Sequence, residues 1–518
     1  MLSERASGPA EPERRARQAA WRRFWPVAAL LLLVSVGLGS GFSPQRVFFF
    51  RDLTIYFYPA QELAWRMIRQ GTLPLWNPYS AHGTPLAAMA DVLLYYPGTW
   101  LRFLLPFPLG FNFQIMAHFY LAALSTFALA RRLGMSRVAA VAAAAAFAFS
   151  GPLLALGSML NVLVAAAWMP TVLLAVRWAA VCPTPFRVAL LGCTLGLQAI
   201  GGEPIFSLAT ALLALPLGGA RLPRLIRVLA PAAVFGMALI AVQLLPGLEV
   251  LERSVRQYHF GFSTVAFHSL HPLSLVETVV PGLLFEQAPE TMRYLLYGYN
   301  TPYLVSLYLG LLTFGLAALA VLRDGRSTVR WTASCAALFA ALSLGSQAAF
   351  YALVYWLVPL VRQSRYPAKL MVVAGFCLAL LVGWGVDALR ERRLAQRWWR
   401  KWALAVAAGL ALRLLLAEGS SRAWVAHRLW REFNTALGWA HAAKLLAIVA
   451  LLILLVRLAC ARPALSAAVA VATLAADLLY TNHPINPTAP VELFTTRPPL
   501  VEAVGRGSSE FRIDSDLE

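Results

Sequence analysis

Residues 138–156 read VAAVAAAAAFAFSGPLLAL, 19 positions without a charge, entered from Arg131, Arg132 and Arg137. A helix that crosses a bilayer needs about 20 predominantly apolar residues, and cationic side chains collect at its cytoplasmic end. The stretch therefore predicts a membrane span with an arginine-marked end. Residues 25–42 and 442–458 have the same character, and Lys444 and Arg457 sit near the ends of the latter, where long stems carry charge to the interface. The whole chain agrees: of 518 residues 59% are hydrophobic and 13% charged, with a mean hydropathy of +0.65. That balance excludes a water-soluble globular domain.

Working outward, the apolar runs predict an all-α polytopic membrane protein with about 13 spans, at 25–42, 111–130, 138–157, 161–180, 188–200, 204–220, 228–248, 302–322, 331–348, 368–389, 402–417, 442–458 and 464–481. Arginines fall in short connectors at 131–137, 221–227, 323–330 and 390–401, on the same side at every second connector. This is the positive-inside pattern. It also accounts for a net charge of +20 without nucleic acid as a partner, and makes the phospholipid bilayer the principal one. The basic segment 1–24 precedes the first run, which also resembles a secretory signal peptide; its length and the lack of a small-x-small cleavage site favour an uncleaved helix with a cytoplasmic N-terminus. The cysteines, at 182, 193, 335, 377 and 460, lie in or beside apolar runs without CxxC spacing, so neither a disulfide framework nor a zinc site is indicated.

With that parity, three long segments lie outside: 43–109, 249–301 and 349–369, the last containing a short, re-entrant apolar stretch. A Pro-rich tail, 482–518, also leaves the membrane on this side. The loops are rich in Tyr, Trp, Phe, His and Pro, which predicts folded surface structure over disorder. Residues 60–68 and 424–437 read as surface helices.

Chemistry concentrates at these outer segments. Asp52, beside Arg51 a few residues past the first span, is placed as a general base or as a ligand for a divalent cation such as Mg or Mn; alternatively it is a solvated carboxylate paired with Arg51. Glu203, in the turn GGEP, and Asp91 are the candidate second carboxylates, with a helix-start carboxylate as the plainer reading of Glu203. Arg362, Arg365 and Lys369 stand on an outer connector against the charge trend, and suit either a lipid phosphate or ordinary anionic headgroups. Tyr56, Trp76, Asn77, Tyr79 and His82, with Arg51, are candidates to bind sugar or acceptor; WNPY equally reads as an interfacial turn. His118, His259, His268 and His271 show no metal-ligand spacing. No P-loop, GxGxxG or GxSxG context is present.

The first loop, RDLTIYFYPAQELAWRMIRQGTLPLWNPYSAHGTPLAAMADVLLYYPGTWL from Arg51, resembles that of YfhO-like bacterial membrane proteins of the GT-C glycosyltransferase superfamily. The resemblance is carried by Asp52, by Gly71 with Leu73-Pro74-Leu75-Trp76-Asn77-Pro78-Tyr79, by Gly83, Pro85, Tyr96 and Pro97, and further on by RRLG at 131–134, AFAFSG at 146–151, Asn161 with WMP at 168–170, GGEP at 201–204 and RQSRYPAK at 362–369. It implies a GT-C-like fold in a bacterial inner membrane, a polyprenyl-phosphate sugar as donor, a cell-envelope glycopolymer or glycolipid as acceptor, and Asp52 as the acid of the first outer loop. Relatives usually carry a longer outer C-terminal region than this chain does. Two other classes remain open to the same residues: a lipid-linked substrate transporter or flippase, and a GT-C-shaped protein that binds lipid carriers without catalysis.

Overall fold

A computed structural model describes residues 11–80, 83–258, 260–283, 301–389 and 461–496, together with four single positions at 447, 450, 454 and 458. Its elements are almost entirely helical. The longer ones are α1 (Glu11–Gly37), α2 (Tyr58–Arg69), α3 (Leu109–Arg132), α4 (Arg137–Ala148) with its bent continuation α5 (Gly151–Ala155), α6 (Leu160–Val181), α7 (Pro185–Ala199) and α8 (Pro204–Leu217). They continue as α9 (Leu222–Leu239), α10 (Ala241–Glu252), α11 (Leu311–Arg323), α12 (Ser327–Ser343), α13 (Ala349–Leu357), α14 (Leu370–Leu389) and α15 (Pro463–Asn482). Among the described residues five helices are long and apolar enough to cross a membrane, or six when α4 and its bent continuation count as one span. The chain is thus an all-α membrane protein in its described part. The expected spans at 402–417 and 442–458, and the surface helix at 424–437, lie outside the described residues.

Three expectations change. The span expected at 302–322 starts as a helix only at Leu311, because Thr301–Gly310 runs as non-helical chain with Tyr303, Leu304, Leu307 and Tyr308 buried. Such backbone is tolerated near a bilayer only where protein surrounds it and satisfies its polar groups; here Leu309 and Gly310 N–H donate to Thr278 O, and Tyr308 O accepts from Gly151 N–H. The span expected at 228–248 breaks at Ile240 into α9 and α10, the former starting six residues earlier than expected. The basic N-terminal segment continues the first helix, which begins at Glu11. The short apolar stretch of the third loop is the nine-residue α13, half the length a crossing requires.

α14 is the hub. It packs against α4, α11, α12 and α15, and it is apolar around its circumference, as a helix enclosed by others must be. Lipid offers no hydrophobic drive between helices, so close approach and dispersion hold them together. The alanines of α4 are all buried, and at Gly385 an added Cβ would lie 2.1 Å from Leu316 O of α11. Phe147 and Phe376 meet edge-on with centroids 5.0 Å apart, a favoured aromatic geometry. By contrast α9 is mostly unburied, exposing Val234, Phe235, Met237 and Leu239, the composition of a lipid-facing surface.

The described arginine connectors, at 131–137, 221–227 and 323–330, gather at one end of the bundle. Arg326 comes within reach of Gly134 and lies over the Trp384 ring, Arg177 donates to Leu217 O, and Asp387 of α14 accepts from Ser136 N–H at the start of α4. At the other end the first loop is pinned down by buried polar side chains. Asn112, fully buried, accepts from Phe48 N–H and donates to Gly41 O and Arg46 O. Trp168 donates to the Tyr96 hydroxyl, which bonds His118 Nε2 at 2.7 Å; because His118 Nδ1 faces the carbonyl of Gln114, Nδ1 carries the proton and Nε2 accepts. A two-stranded antiparallel ribbon, β1 (Arg46–Phe48) with β2 (Thr488–Pro490), fastens the segment after α15 onto this loop, reinforced by Arg46 bonds to Thr488 Oγ1 and O.

Candidate functional site

The loop end brings four separated segments together around the Tyr303 ring. Arg51 donates to Pro302 O at 3.1 Å, Tyr303 O at 3.0 Å and Thr301 Oγ1 at 3.5 Å. Its guanidinium therefore ties the first loop to the non-helical run before α11 and is not a dedicated partner of Asp52. Tyr303 stacks on Tyr366 at 5.0 Å and on His268 at 5.8 Å, and the latter two are 5.1 Å apart. Tyr366 N–H donates to Val265 O, joining RQSRYPAK to the second loop. Glu203, at the start of α8, pairs with Lys369, just before α14, at 2.5 Å.

The electrostatics bind these groups into one site. Burial pushes the Tyr303 hydroxyl well above its usual range, and the charge of Glu203, the Tyr366 hydroxyl and Asp52 push the same way, against Arg51. The charges of two of the three candidate carboxylates, Asp52 and Glu203, thus bear on one phenol. Burial raises Asp52 above an ordinary carboxylate, with the Arg51 charge opposing. Among the described residues no side chain hydrogen-bonds the Asp52 carboxylate, so it keeps its acceptor capacity. Burial, then the Arg51 charge, holds His268 down to about 4, leaving the ring neutral near pH 7.

Backbone strain marks the same place. Arg51, His268 and Tyr366 adopt left-handed conformations with φ of 48°, 56° and 70°, three of the four such non-glycine residues among those described. Each costs on the order of 1–3 kcal/mol, and such residues cluster at active sites and ligand clamps. The glycines of GGEP serve the same geometry: Gly202 has φ 70°, and a Cβ there would strike Ala90 of the first loop at 2.8 Å. This contact sets the short turn containing Asp91 beside the turn containing Glu203.

The expected cation cluster separates by role. Lys369 is buried and committed to Glu203, so it does not present its ammonium to a lipid phosphate. Arg362 donates to Tyr355 O and Trp356 O at the end of α13 and lies over both rings, which makes it a helix cap. Arg365 is half-buried against the faces of Phe260 and Tyr366, at 5.3 and 4.9 Å, with no carboxylate in ion-pair distance among the described residues and without the carbonyl bonds that commit Arg362.

The sugar or acceptor candidates lie mostly apart from Asp52. Tyr56, Asn77 and Tyr79 line a cavity of about 480 Å³ between α2 and the hairpin at 77–84. Trp76 covers Gly83 beside it, and His82 lies outside the described residues. No three His, Cys, Asp or Glu side chains cluster to hold a metal ion among the described residues, and Glu203 already faces an ammonium; the donor set does not fit a divalent cation held by the protein alone. His268 and Tyr303 escape sequence reasoning, the first for want of ligand spacing, the second because it falls in an apolar run. Pro302 and Gly310, which bracket that run, are the signal that it is not a helix. No protein-family model matches the chain, and no curated protein matches it closely enough to count as a relative.

Proposed function

We propose that the chain is a membrane glycosyltransferase of GT-C-like architecture, with about thirteen spans in a bacterial inner membrane and its loop end outside. It moves a sugar from a polyprenyl phosphate to a cell-envelope acceptor. The observation that carries this reading is Asp52: a carboxylate with its acceptor sites open, made more basic by burial, among strained residues at the end of the bundle away from the arginine connectors.

In the proposed reaction the acceptor hydroxyl gives its proton to Asp52 while its oxygen bonds the anomeric carbon. The bond from that carbon to the phosphate oxygen breaks, its electron pair leaves with polyprenyl phosphate, and single displacement inverts the anomeric centre. A raised carboxylate pKa brings the base closer to working pH, where general-base catalysis is more effective. Arg365, stacked and without a carboxylate partner, is the group that receives the developing phosphate charge, as guanidinium does in bidentate fashion. Glu203 and Lys369 act as positioning residues, holding α8 to α14 so that Tyr303 and Tyr366 wall the site.

The test is release of polyprenyl phosphate from a panel of polyprenyl-phosphate sugars by purified protein in lipid discs, comparing wild type with Asp52→Ala. Release that requires Asp52 supports the reading. Wild-type release by Asp52→Ala removes the role given to it, and no release from any donor by a protein that still binds polyprenyl phosphate moves the function to carrier binding or translocation.

A further inference from the structure

We propose that the cavity between α2 and the hairpin at 77–84 is a carbohydrate-binding subsite for an uncharged glycosyl unit. The inference deepens the reading above by naming the acceptor's class, and rests on it for the link to transfer but not for binding.

The cavity measures about 480 Å³, within the roughly 300–1,000 Å³ of small-ligand pockets. One wall is α2, whose inner face is held by Gln61 donating to Val92 O and by the buried Arg102 bonding Gln61 and Glu62. The other wall is the hairpin, fixed by two backbone bonds of 2.8 Å between Asn77 and Thr84 and by Asn77 Oδ1 accepting from Tyr79 N–H. α2 and the described hairpin residues 77–80 and 83–84 are held by these bonds without a ligand, which lowers the ordering cost of binding.

The lining has the chemistry of sugar recognition. Tyr56, Tyr58, Tyr79 and Phe494 bring aromatic surface to the lining, Tyr58 and Phe494 meeting edge-on at 4.9 Å, to meet the C–H surface of a pyranose, and Asn77, Ser80 and Thr84 offer donors and acceptors for hydroxyls. Tyr79 is 84% exposed at the hairpin tip, and no core packing accounts for an aromatic ring there. The lining holds one acid and one base, Glu62 and Arg66, which pair at 3.1 Å, and Glu62 is shared with the buried Arg102 behind α2. An anionic polymer finds in the lining no cation beyond Arg66, already paired with Glu62, while Asn77, Ser80 and Thr84 match a neutral polyol. The turn Leu53–Phe57 joins Asp52 directly to α2, and Ile55 and Tyr56 of that turn lie in the lining. The lining therefore begins at Ile55, three residues along the chain from the proposed base.

The experiment is saturation-transfer NMR on the full chain in lipid discs, with maltose as the neutral probe and a glycerol-phosphate oligomer as the anionic one. Maltose should bind wild type and Asp52→Asn alike, and about tenfold more weakly to Tyr79→Ala, a change at an exposed ring that leaves the fold intact; Tyr79→Phe, which keeps the ring face, should restore binding. Preference for the glycerol-phosphate oligomer, absence of maltose binding, or equal binding by Tyr79→Ala would each overturn the proposal. Maltose binding by a chain that transfers no sugar would leave the cavity standing and remove the transferase reading. Transfer without maltose binding would do the reverse.

Discussion

Lys369 Nζ lies 2.5 Å from Glu203 Oε2, and the two side chains are only 4% and 15% exposed. The pair joins the residue that opens α8 to the one that precedes α14, the most enclosed helix among the described spans. Removing one partner of a buried pair strands the other, at a cost of about 3–5 kcal/mol, whereas replacing both with uncharged groups is near neutral. Glu203→Gln and Lys369→Met should each lower the thermal midpoint in detergent strongly, and the double variant should recover most of the loss. Additive losses in the double-mutant cycle would show that the pair does not couple these helices.

Asp52 gives a prediction in which activity and stability move oppositely. Burial raises its pKa in the folded chain, so the folded state favours the protonated carboxyl, and that preference is lost as pH rises through the folded pKa. At pH 7 the ionised group is a burden on the fold. Asp52→Asn should reduce transfer about 10²–10⁴-fold while the melting temperature stays level or rises. In wild type, transfer should fall on acidification at a pH above the ordinary carboxylate range. A destabilised Asp52→Asn, or an acid limb unchanged by that variant, would count against a desolvated base.

The helical stretch at 138–156 was readable in the sequence as a charge-free run with a cationic end, because that pattern reflects one local requirement, the hydrocarbon thickness. The non-helical run at Thr301–Gly310 was not, because apolar composition alone cannot distinguish a helix from chain enclosed by neighbours. Asp52, Glu203 and Lys369 could be singled out by type and place. That Glu203 and Lys369 hold each other, 166 positions apart, depends on how α8 meets α14. The role of Arg51 was hidden for the same reason: its bonds run to carbonyls some 250 positions away.

His268 makes a second acid-sensitive element of opposite sign. Its pKa drops from 6.5 to about 4 on folding, through burial first and the Arg51 charge second. Below pH 6.5 the unfolded chain takes up a proton that the folded chain refuses, so the stability due to neutral His268 is complete above 6.5 and drains as pH falls towards 4. The groups facing it are Tyr303, Tyr366, Phe267 and Arg51, to which Asp52 is added through its charge on Tyr303. In an Asp52→Asn background, which removes the opposing titration, His268→Gln should flatten the fall in melting temperature between pH 6.5 and 4. An unchanged slope would mean that the imidazole is solvated.

Arg362 and Arg365 are three residues apart, yet their surroundings predict different defects. Arg362 bonds the carbonyls of Tyr355 and Trp356, orphan acceptors at the end of α13, so Arg362→Ala should lower stability by about 1 kcal/mol with kcat/KM per folded molecule little changed. Arg365 lies against two ring faces with no carboxylate partner among the described residues. If it meets the leaving phosphate, Arg365→Ala should reduce kcat/KM about 10²-fold with a smaller change in melting temperature. Arg365→Lys should recover only part of the rate, because an ammonium keeps the charge but loses the planar fork and much of the stacking. The order of defects in kcat/KM at matched folded fraction is the measurement. An Arg362→Ala defect as deep as that of Arg365→Ala would place the phosphate across both guanidiniums, and full activity in Arg365→Ala would take it away from this connector.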